Sequence, residues 1–405
     1  MIQKWLLPEG VDRQALPLLI GRALRAFADG FIAVLLPAYL MALGLSALDV
    51  GILSTATLLG SAFATLAVGA WGYRAKHRHL LLGAALLMML TGALFAMQTA
   101  FWPLLLIAFF GTLNPSSGDV SVFLPLEHAR LAEAANGHAR TTLFARYTLL
   151  GSLFAALGAL ASGLPDWLVN WAGITQLTAL RGMFLLYGLV GGIVWLLYRR
   201  LPQASGERQQ PPTPLGASRP IVIRLATLFS LDSFAGGLVI NSLMALWLFQ
   251  RFDLSLTAAG TFFFWSGLLT AFSQLAAPWV ASRIGLVNTM VFTHIPANLC
   301  LILAAFAPGI ELTIVLLFVR ALFSQMDVPT RSAFVMSVVT PAERAAAASF
   351  TAVPRSLASA ISPTLGAAMF ASGWLAAPLV ACGVLKIAYD LAIWRSFSKH
   401  QEKND

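Results

Sequence analysis

Apolar residues in this chain come in long unbroken runs, and polar residues gather between them. From Leu80 to Gly118 there is no Lys, Arg, Asp or Glu. A helix crosses the hydrocarbon of a bilayer with about 20 apolar residues, so this stretch covers one crossing and most of a second. Membrane-spanning strands would instead alternate over segments of about 10 residues. The pattern predicts an all-α integral membrane protein with twelve transmembrane helices, at 16–43, 47–73, 79–98, 102–128, 139–164, 181–199, 220–249, 256–282, 287–308, 311–337, 342–371 and 374–396.

The polar segments alternate in charge. Basic residues mark one side: Lys4 and Arg13, "RAKHRH" around residues 74–79, Arg130 and Arg140, the 199–219 stretch, Arg283, Arg344, and the tail with Arg395, Lys399 and Lys403. The other side offers only Arg181 and Arg251. The positive-inside rule places both termini and the central linker in the cytoplasm, and thus a multi-pass protein in the cell's inner (plasma) membrane. The linker "LPQASGERQQPPTPLGASRP" has the composition of a flexible tether. It divides the chain into a bundle at 1–199, a linker at 200–219 and a second bundle at 220–405.

The two bundles read as copies of each other. "FADGFIAVLLPAYL" from Phe27 resembles "FAGGLVINSLMALWL" from Phe234, 207 residues later. Gly51 matches Gly260 and Arg74 matches Arg283, both 209 apart; Asp119 matches Asp327 and Gly158 matches Gly366, both 208 apart. Parallel six-helix repeats are a transporter architecture, with the site near the bilayer midplane.

Composition narrows the function. Of 405 residues, 58% are hydrophobic and 11% charged, against roughly 25% charged in soluble domains. The net charge of +9 follows from the basic loops and needs no nucleic-acid partner. Cys300 and Cys382 both lie inside apolar runs and form neither a disulfide framework nor a metal site. No cleavable signal peptide is evident at 1–15. There is no phosphate-binding GxxxxGK[ST] loop, HExxH, CxxC or nucleophile elbow, so neither ATP, another cofactor nor enzyme chemistry is expected.

Twelve spans, a 6+6 duplication, a long linker and a basic loop after the second helix resemble the major facilitator superfamily (MFS). That family's signature loop, G-x-x-x-D-R-x-G-R-K, is matched here by Gly69, Arg74 and Arg78 in "GAWGYRAKHR". Tyr73 stands at the acidic position and Lys76 at the second glycine; the copy "PWVASRIG" has Ser282 at its acidic position. The family's inter-half latch, to which Arg74 would contribute, is therefore incomplete. Helix 5, "GSLFAALGALASG", lacks the proline of the Gly-Pro-x-x-Gly-Gly pattern that marks many drug antiporters. The resemblance implies two pseudo-symmetric six-helix bundles, with helices 1, 4, 7 and 10 lining a central cavity.

Four embedded acids, Asp29, Asp119, Asp232 and Asp327, fall on those four helices; Asp390 in helix 12 does not. An ionisable group at bilayer depth is costly unless it faces a partner or water. On helix 10, Arg320, Ser324, Asp327 and Arg331 are spaced as one stripe, and Asp327 and Arg331 can pair at i, i+4. Pro329 removes a backbone bond to Gln325 and is expected to kink the span. Helix 4 carries Asn114, Ser116 and Asp119 near one face, with Pro115 and Gly118 interrupting it.

The substrate-binding candidates are Arg320, Asn114, Ser324 and Asp232. The proton-coupling candidates are Asp29, Asp119 and Asp327, because burial favours a neutral carboxyl while a nearby cation favours the ionised one. The gating and salt-bridge candidates are Arg25, Arg74, Arg146, Arg331 and Arg355. The expected pairs are Arg25–Asp29, Asp119–Arg146, Asp327–Arg355 with Arg331 sharing, and Lys386–Asp390. Glu127 with Arg140, and Glu343 beside Arg344, read as cytoplasmic gate brackets or solvated faces, and His294 as a packed histidine.

The combined expectation is a monomeric secondary transporter in the lipid bilayer. It moves a small organic solute by alternating access, as proton-coupled export. The alternatives are proton-coupled uptake of an anionic metabolite, favoured by Arg320 and Arg355, and a receptor or scaffold on a transporter fold that moves nothing. The topology is checked by single cysteines placed at 203–210, which should react with an impermeant maleimide only when the cytoplasmic face is open to the reagent.

Overall fold

The computed structural model describes residues 7, 11–71, 76–116, 121–135, 137–202, 215–216, 218–340 and 343–401. Among them every regular element is a helix. In chain order these are α1 (Ala15–Ala42), α2 (Ala47–Trp71), α3 (His77–Met97), α4 (Phe101–Phe110), α5 (Phe123–Ala134), α6 (Gly137–Ala161), α7 (Leu164–Ala172) and α8 (Gln176–Tyr198). They continue with α9 (Arg219–Gly237), α10 (Asn241–Phe252), α11 (Leu256–Ile284), α12 (Leu286–Phe306), α13 (Ile310–Phe323), α14 (Asp327–Val338), α15 (Arg344–Ala371) and α16 (Ala377–Gln401). Nine helical stretches among the described residues are long and apolar enough to cross a membrane.

Three expected spans are each two helices. The span at 102–128 becomes α4 and α5, that at 220–249 becomes α9 and α10, and that at 311–337 becomes α13 and α14. In the last case the break falls at Ser324–Met326, just before Pro329, rather than as a kink at the proline. The Ser324 N–H closes α13 on the Arg320 carbonyl at 2.8 Å. Pro329 has no N–H for the Gln325 carbonyl, and it sits in the first turn of α14, where a proline is tolerated. Asn114 and Pro115 likewise lie in the non-helical segment after α4. Such breaks persist at membrane depth only where protein or water replaces lipid around the freed backbone groups.

The chain forms two compact units, one of residues 1–209 with Asp253–Phe264 and one of Gln210–Phe252 with Trp265–Asp405. In the first, α1 packs on α6 and α3 on α8; in the second, α9 packs on α15 and α12 on α16. Helices in lipid gain little from hydrophobic burial against one another, so close approach through small residues carries the packing. A Cβ at Gly30 of α1 would collide with the Ala155 carbonyl of α6, and one at Gly158 with the Phe27 carbonyl of α1. The second unit repeats the device: a Cβ at Gly237 would meet the Ser359 carbonyl of α15, and one at Gly366 the Leu238 carbonyl.

Aromatic packing fills the interiors. In the first unit Phe95 stacks on Phe184 at 5.3 Å, and Tyr39 donates to the Phe95 carbonyl at 2.7 Å. In the second, Val222, Leu225, Phe229, Phe334, Tyr389 and Phe397 form one cluster. Large apolar side chains also cover the outside, among them Met97, Trp102, Phe110, Leu189, Phe272 and Trp279. A soluble monomer rarely exposes so many together, and lipid tails are their natural solvent.

Replacing Gly158 by Val should lower stability by about 1–3 kcal/mol or more, because a backbone carbonyl cannot move aside. Gly83→Ala, where no atom lies within 4 Å, should be neutral or slightly stabilising. Thermal unfolding of the detergent-purified variants, followed by size-exclusion chromatography, distinguishes the two.

Candidate functional site

Each unit buries its own cluster of charges. In the first, Arg25 of α1 is paired with Glu127 of α5, and both side chains are almost fully enclosed. Glu127 also accepts hydrogen bonds from the hydroxyls of Tyr147 on α6 and Tyr198 on α8. One carboxylate therefore joins four helices. An ion stripped of water in a low-dielectric interior costs several kcal/mol unless its lone pairs are met, and here three donors meet them. Arg25 further lies 4.1 Å from the centre of the Phe123 ring. Arg22 lies 5.2 Å from the centre of the Tyr147 ring, in space that Gly151 leaves open.

Asp29 sits one turn beyond Arg25 and is buried. Its polar neighbours are Arg25, Arg22 and Asn114. Asn114 comes from the break after α4, where its Oδ1 accepts from the Ser116 hydroxyl at 2.8 Å. The Tyr187 hydroxyl of α8 holds the same break by donating to the Thr112 carbonyl at 2.7 Å. The broken helix thus brings an amide beside an embedded acid.

The second unit is arranged around Asp232 of α9. Arg331 of α14 reaches its Oδ2 from Nη1 at 3.0 Å, and Lys386 of α16 reaches its Oδ1 from Nζ at 2.6 Å. The other terminal nitrogen of Arg331 pairs with Asp327 Oδ2 at 3.1 Å, one turn earlier in its own helix. Arg355 of α15 donates from Nε to the Ser233 hydroxyl at 3.2 Å. Beside this group, His294 Nδ1 of α12 lies 2.9 Å and 3.1 Å from the two carboxylate oxygens of Asp390 on α16.

Several expected pairings change. Arg25 gives its ion pair to Glu127 rather than Asp29, although Asp29 stays close by. Glu127 is no cytoplasmic bracket, and Arg140 donates from Nε to the Ala135 carbonyl at 3.0 Å. Lys386 turns to Asp232 instead of Asp390, and Asp390 is taken by His294, which is more than a packed histidine. Asp327 pairs with Arg331 as expected, but Arg355 makes no ion pair with it. Glu343 accepts from the Gly216 and Ser218 N–H groups, both at 3.0 Å, holding the chain before α9. For Arg25, Lys386 and Asp390 a cross-helix partner displaces the local one, because two side chains facing one bundle interior neutralise each other without leaving it.

The remaining candidates separate. Ser324 is buried at the end of α13. The Arg320 side chain makes no hydrogen bond or ion pair among the described residues; its Nε is enclosed and its neighbours are Cys300 and Cys382. The helix 10 stripe is therefore split, with Asp327 and Arg331 joining the Asp232 cluster and Arg320 standing apart. Arg146 is half-buried on α6. Asp119 and Arg74 lie outside the described residues, and the Asp119–Arg146 pair with them.

Repeat-equivalent positions meet in both units with their chemistry exchanged. Arg25 and Asp232 are 207 residues apart, and Phe123 and Arg331 are 208 apart. In the first unit the cation is on α1 and stacks on Phe123; in the second it is on α14 and pairs with the acid on α9. Arg22 and Phe229 are also 207 apart, and Arg331 lies 5.5 Å from the Phe229 ring centre. Glu127, Tyr147, Tyr198, Lys386 and His294 escaped the sequence reading as site residues. The signal available for the first three was an acid and two tyrosines where apolar runs meet His128, Arg146 and Arg199.

Removing the Glu127 carboxylate by Glu127→Ala should cost about 3–5 kcal/mol, since Arg25 would be left enclosed and unpaired. Tyr147→Phe should cost about 1.5–3 kcal/mol, the worth of one bond to a charged group. Denaturant unfolding in detergent reads both; values near zero would mean that water already reaches the carboxylate.

Comparison with known proteins gives the same architecture. The profile of the Major Facilitator Superfamily matches residues 18–324. The chain is 25% identical over 410 residues to the uncharacterized membrane protein YJR124C of Saccharomyces cerevisiae strain S288c, covering 91% of each chain. Among solved structures it is similar in fold to the nucleoside transporter NupG, with a TM-score of 0.74 at 16% identity over 95% of this chain and 99% of that one. It is similar also to the xylose transporter XylE from E. coli in its inward open conformation, with a TM-score of 0.72 at 14% identity over 94% and 96%.

Proposed function

This chain belongs to the Major Facilitator Superfamily, and from that premise we propose that it is a proton-coupled secondary transporter which exports a small organic solute by alternating access. Secondary transport of a solute follows from the family and fold. Proton coupling is supported above all by Asp29: a buried acid flanked by Arg22, Arg25 and the Asn114 amide. Glu127 holds Arg25 in an enclosed ion pair, which leaves Asp29 as the acid able to change state without dissolving the helix packing. A proton arriving at Asp29 removes one negative charge from a set of two acids and two arginines, and the set must rearrange or take up a compensating charge. Where that rearrangement releases the solute, proton and solute are exchanged, as antiport requires. Asp327 is a weaker coupling site in this reading, because Arg331 engages it directly.

The test uses protein reconstituted in vesicles and a solute selected by thermal shift. Asp29→Asn should abolish flux driven by a pH gradient, reducing it by about tenfold or more, a difference of ~1.4 kcal/mol or greater. Solute exchange at equal pH should survive in the same variant. Loss of both activities would make Asp29 structural, and loss of neither would assign coupling elsewhere. Absence of any solute movement in the wild type would favour a receptor that moves nothing.

A further inference from the structure

We propose that Arg355 anchors an oxyanion, a carboxylate or phosphate carried by the transported solute, so that this chain handles organic anions. The inference rests on the transport reading above and adds the chemical class of the solute.

The first observation is a charge count inside each unit. In the first unit Arg22, Arg25 and Arg130 are buried with Asp29 and Glu127, and Arg146 is half-buried. In the second, the mid-helix cations Arg320, Arg331, Arg355 and Lys386 outnumber Asp232, Asp327 and Asp390. Neither Arg320 nor Arg355 has an ion pair among the described residues, and a charge held among apolar helices needs a counter-charge.

The second observation identifies Arg355 as the available one. Arg331 and Lys386 are consumed by Asp232 and Asp327. Arg320 has its Nε enclosed beside two thiols. Arg355 is half-buried and donates only from Nε, to Ser233; among the described residues its two terminal nitrogens have no partner. The charged groups around it include the cation Arg331 as well as Asp232 and Asp327. A guanidinium held at Nε with its terminal N–H groups unspent is preset for two-point contact with a carboxylate or phosphate.

The third is an unmet polar group in the same neighbourhood. The Tyr389 hydroxyl is buried without a hydrogen-bond partner among the described residues, and its ring lies 6.4 Å from that of Phe229, over which Arg331 sits. Its phenol can donate to the same anion. Ser233, already fixed by Arg355, adds a hydroxyl.

The test begins with the purified full chain in phosphatidylcholine nanodiscs, where no anionic lipid supplies the charge. Inorganic phosphate, succinate, benzoate and glycerol phosphate serve as probes, with succinamide, benzamide and glycerol as neutral controls. At least one anion should raise the Tm of the wild type by about 2 °C or more, while its neutral counterpart should not. Arg355→Gln should remove that shift, and Arg355→Lys should keep part of it, retaining charge without the fork. Without ligand, Arg355→Gln should melt at or above the wild type, since it removes an uncompensated charge, whereas Arg331→Gln should melt well below.

A ligand-free loss in Arg355→Gln as large as that in Arg331→Gln would make Arg355 a structural ion and overturn the proposal. So would an anion shift unchanged in Arg355→Gln, stabilisation by none of the anions, or an effect seen only with added phosphatidylglycerol, which would make the ligand a lipid headgroup. Vesicle flux separates this failure from that of transport. Movement of neutral or cationic solutes alone defeats the anion assignment. Anion stabilisation through Arg355 with no flux of any solute defeats the transport reading instead.

Discussion

A charge inside an apolar helix bundle must be matched inside that bundle, and the interior of this protein follows from that constraint. Glu127 and Asp232 show the two solutions adopted. Glu127 is surrounded by one guanidinium and two phenols drawn from three other helices. Asp232 divides its two oxygens between Arg331 and Lys386, which arrive from separate helices. In both cases the acid is a junction rather than one half of a pair. Each added donor offsets desolvation, and each comes from a different segment, so satisfying the charge also fixes helix register. Glycine contacts bring the backbones together, and the ionic junctions decide which faces meet.

The two units apply one packing scheme to different chemistry. The close approaches at Gly30 and Gly158 recur at Gly237 and Gly366. At the repeat-related positions 25/232 and 123/331, however, cation and partner have changed helices. Among the described mid-helix groups of the second unit, cations outnumber acids. Duplicated halves that diverge in this way can share a fold and still divide the labour, one supplying an acid that can exchange a proton, the other a cation that can hold an anion.

Much of the fold was legible in the sequence, because apolar run length and the spacing of loop charges are direct consequences of the bilayer. The Asp327–Arg331 pair was also legible, since i, i+4 proximity is fixed by the helix itself. The partners of Arg25 and Lys386 were not. Glu127 is 102 residues from Arg25, and Asp232 is 154 from Lys386. No local rule gives the register between such helices, and local rules pointed to Asp29 and Asp390 instead. The helix breaks were half legible: Pro115 and Pro329 marked where α4 and α14 are bounded, but a proline states only that a backbone bond is missing. Whether the chain kinks or separates depends on what surrounds it. The division after Gly237 has no proline to mark it.

The most direct measurement is the internal pH of vesicles containing the wild-type protein while solute is added on one side only. If buried acids exchange protons for solute, the lumen should change pH in step with solute entry, in the direction set by antiport, and the change should disappear when the membrane is made freely permeable to protons. Solute movement at constant internal pH would contradict proton exchange at Asp29.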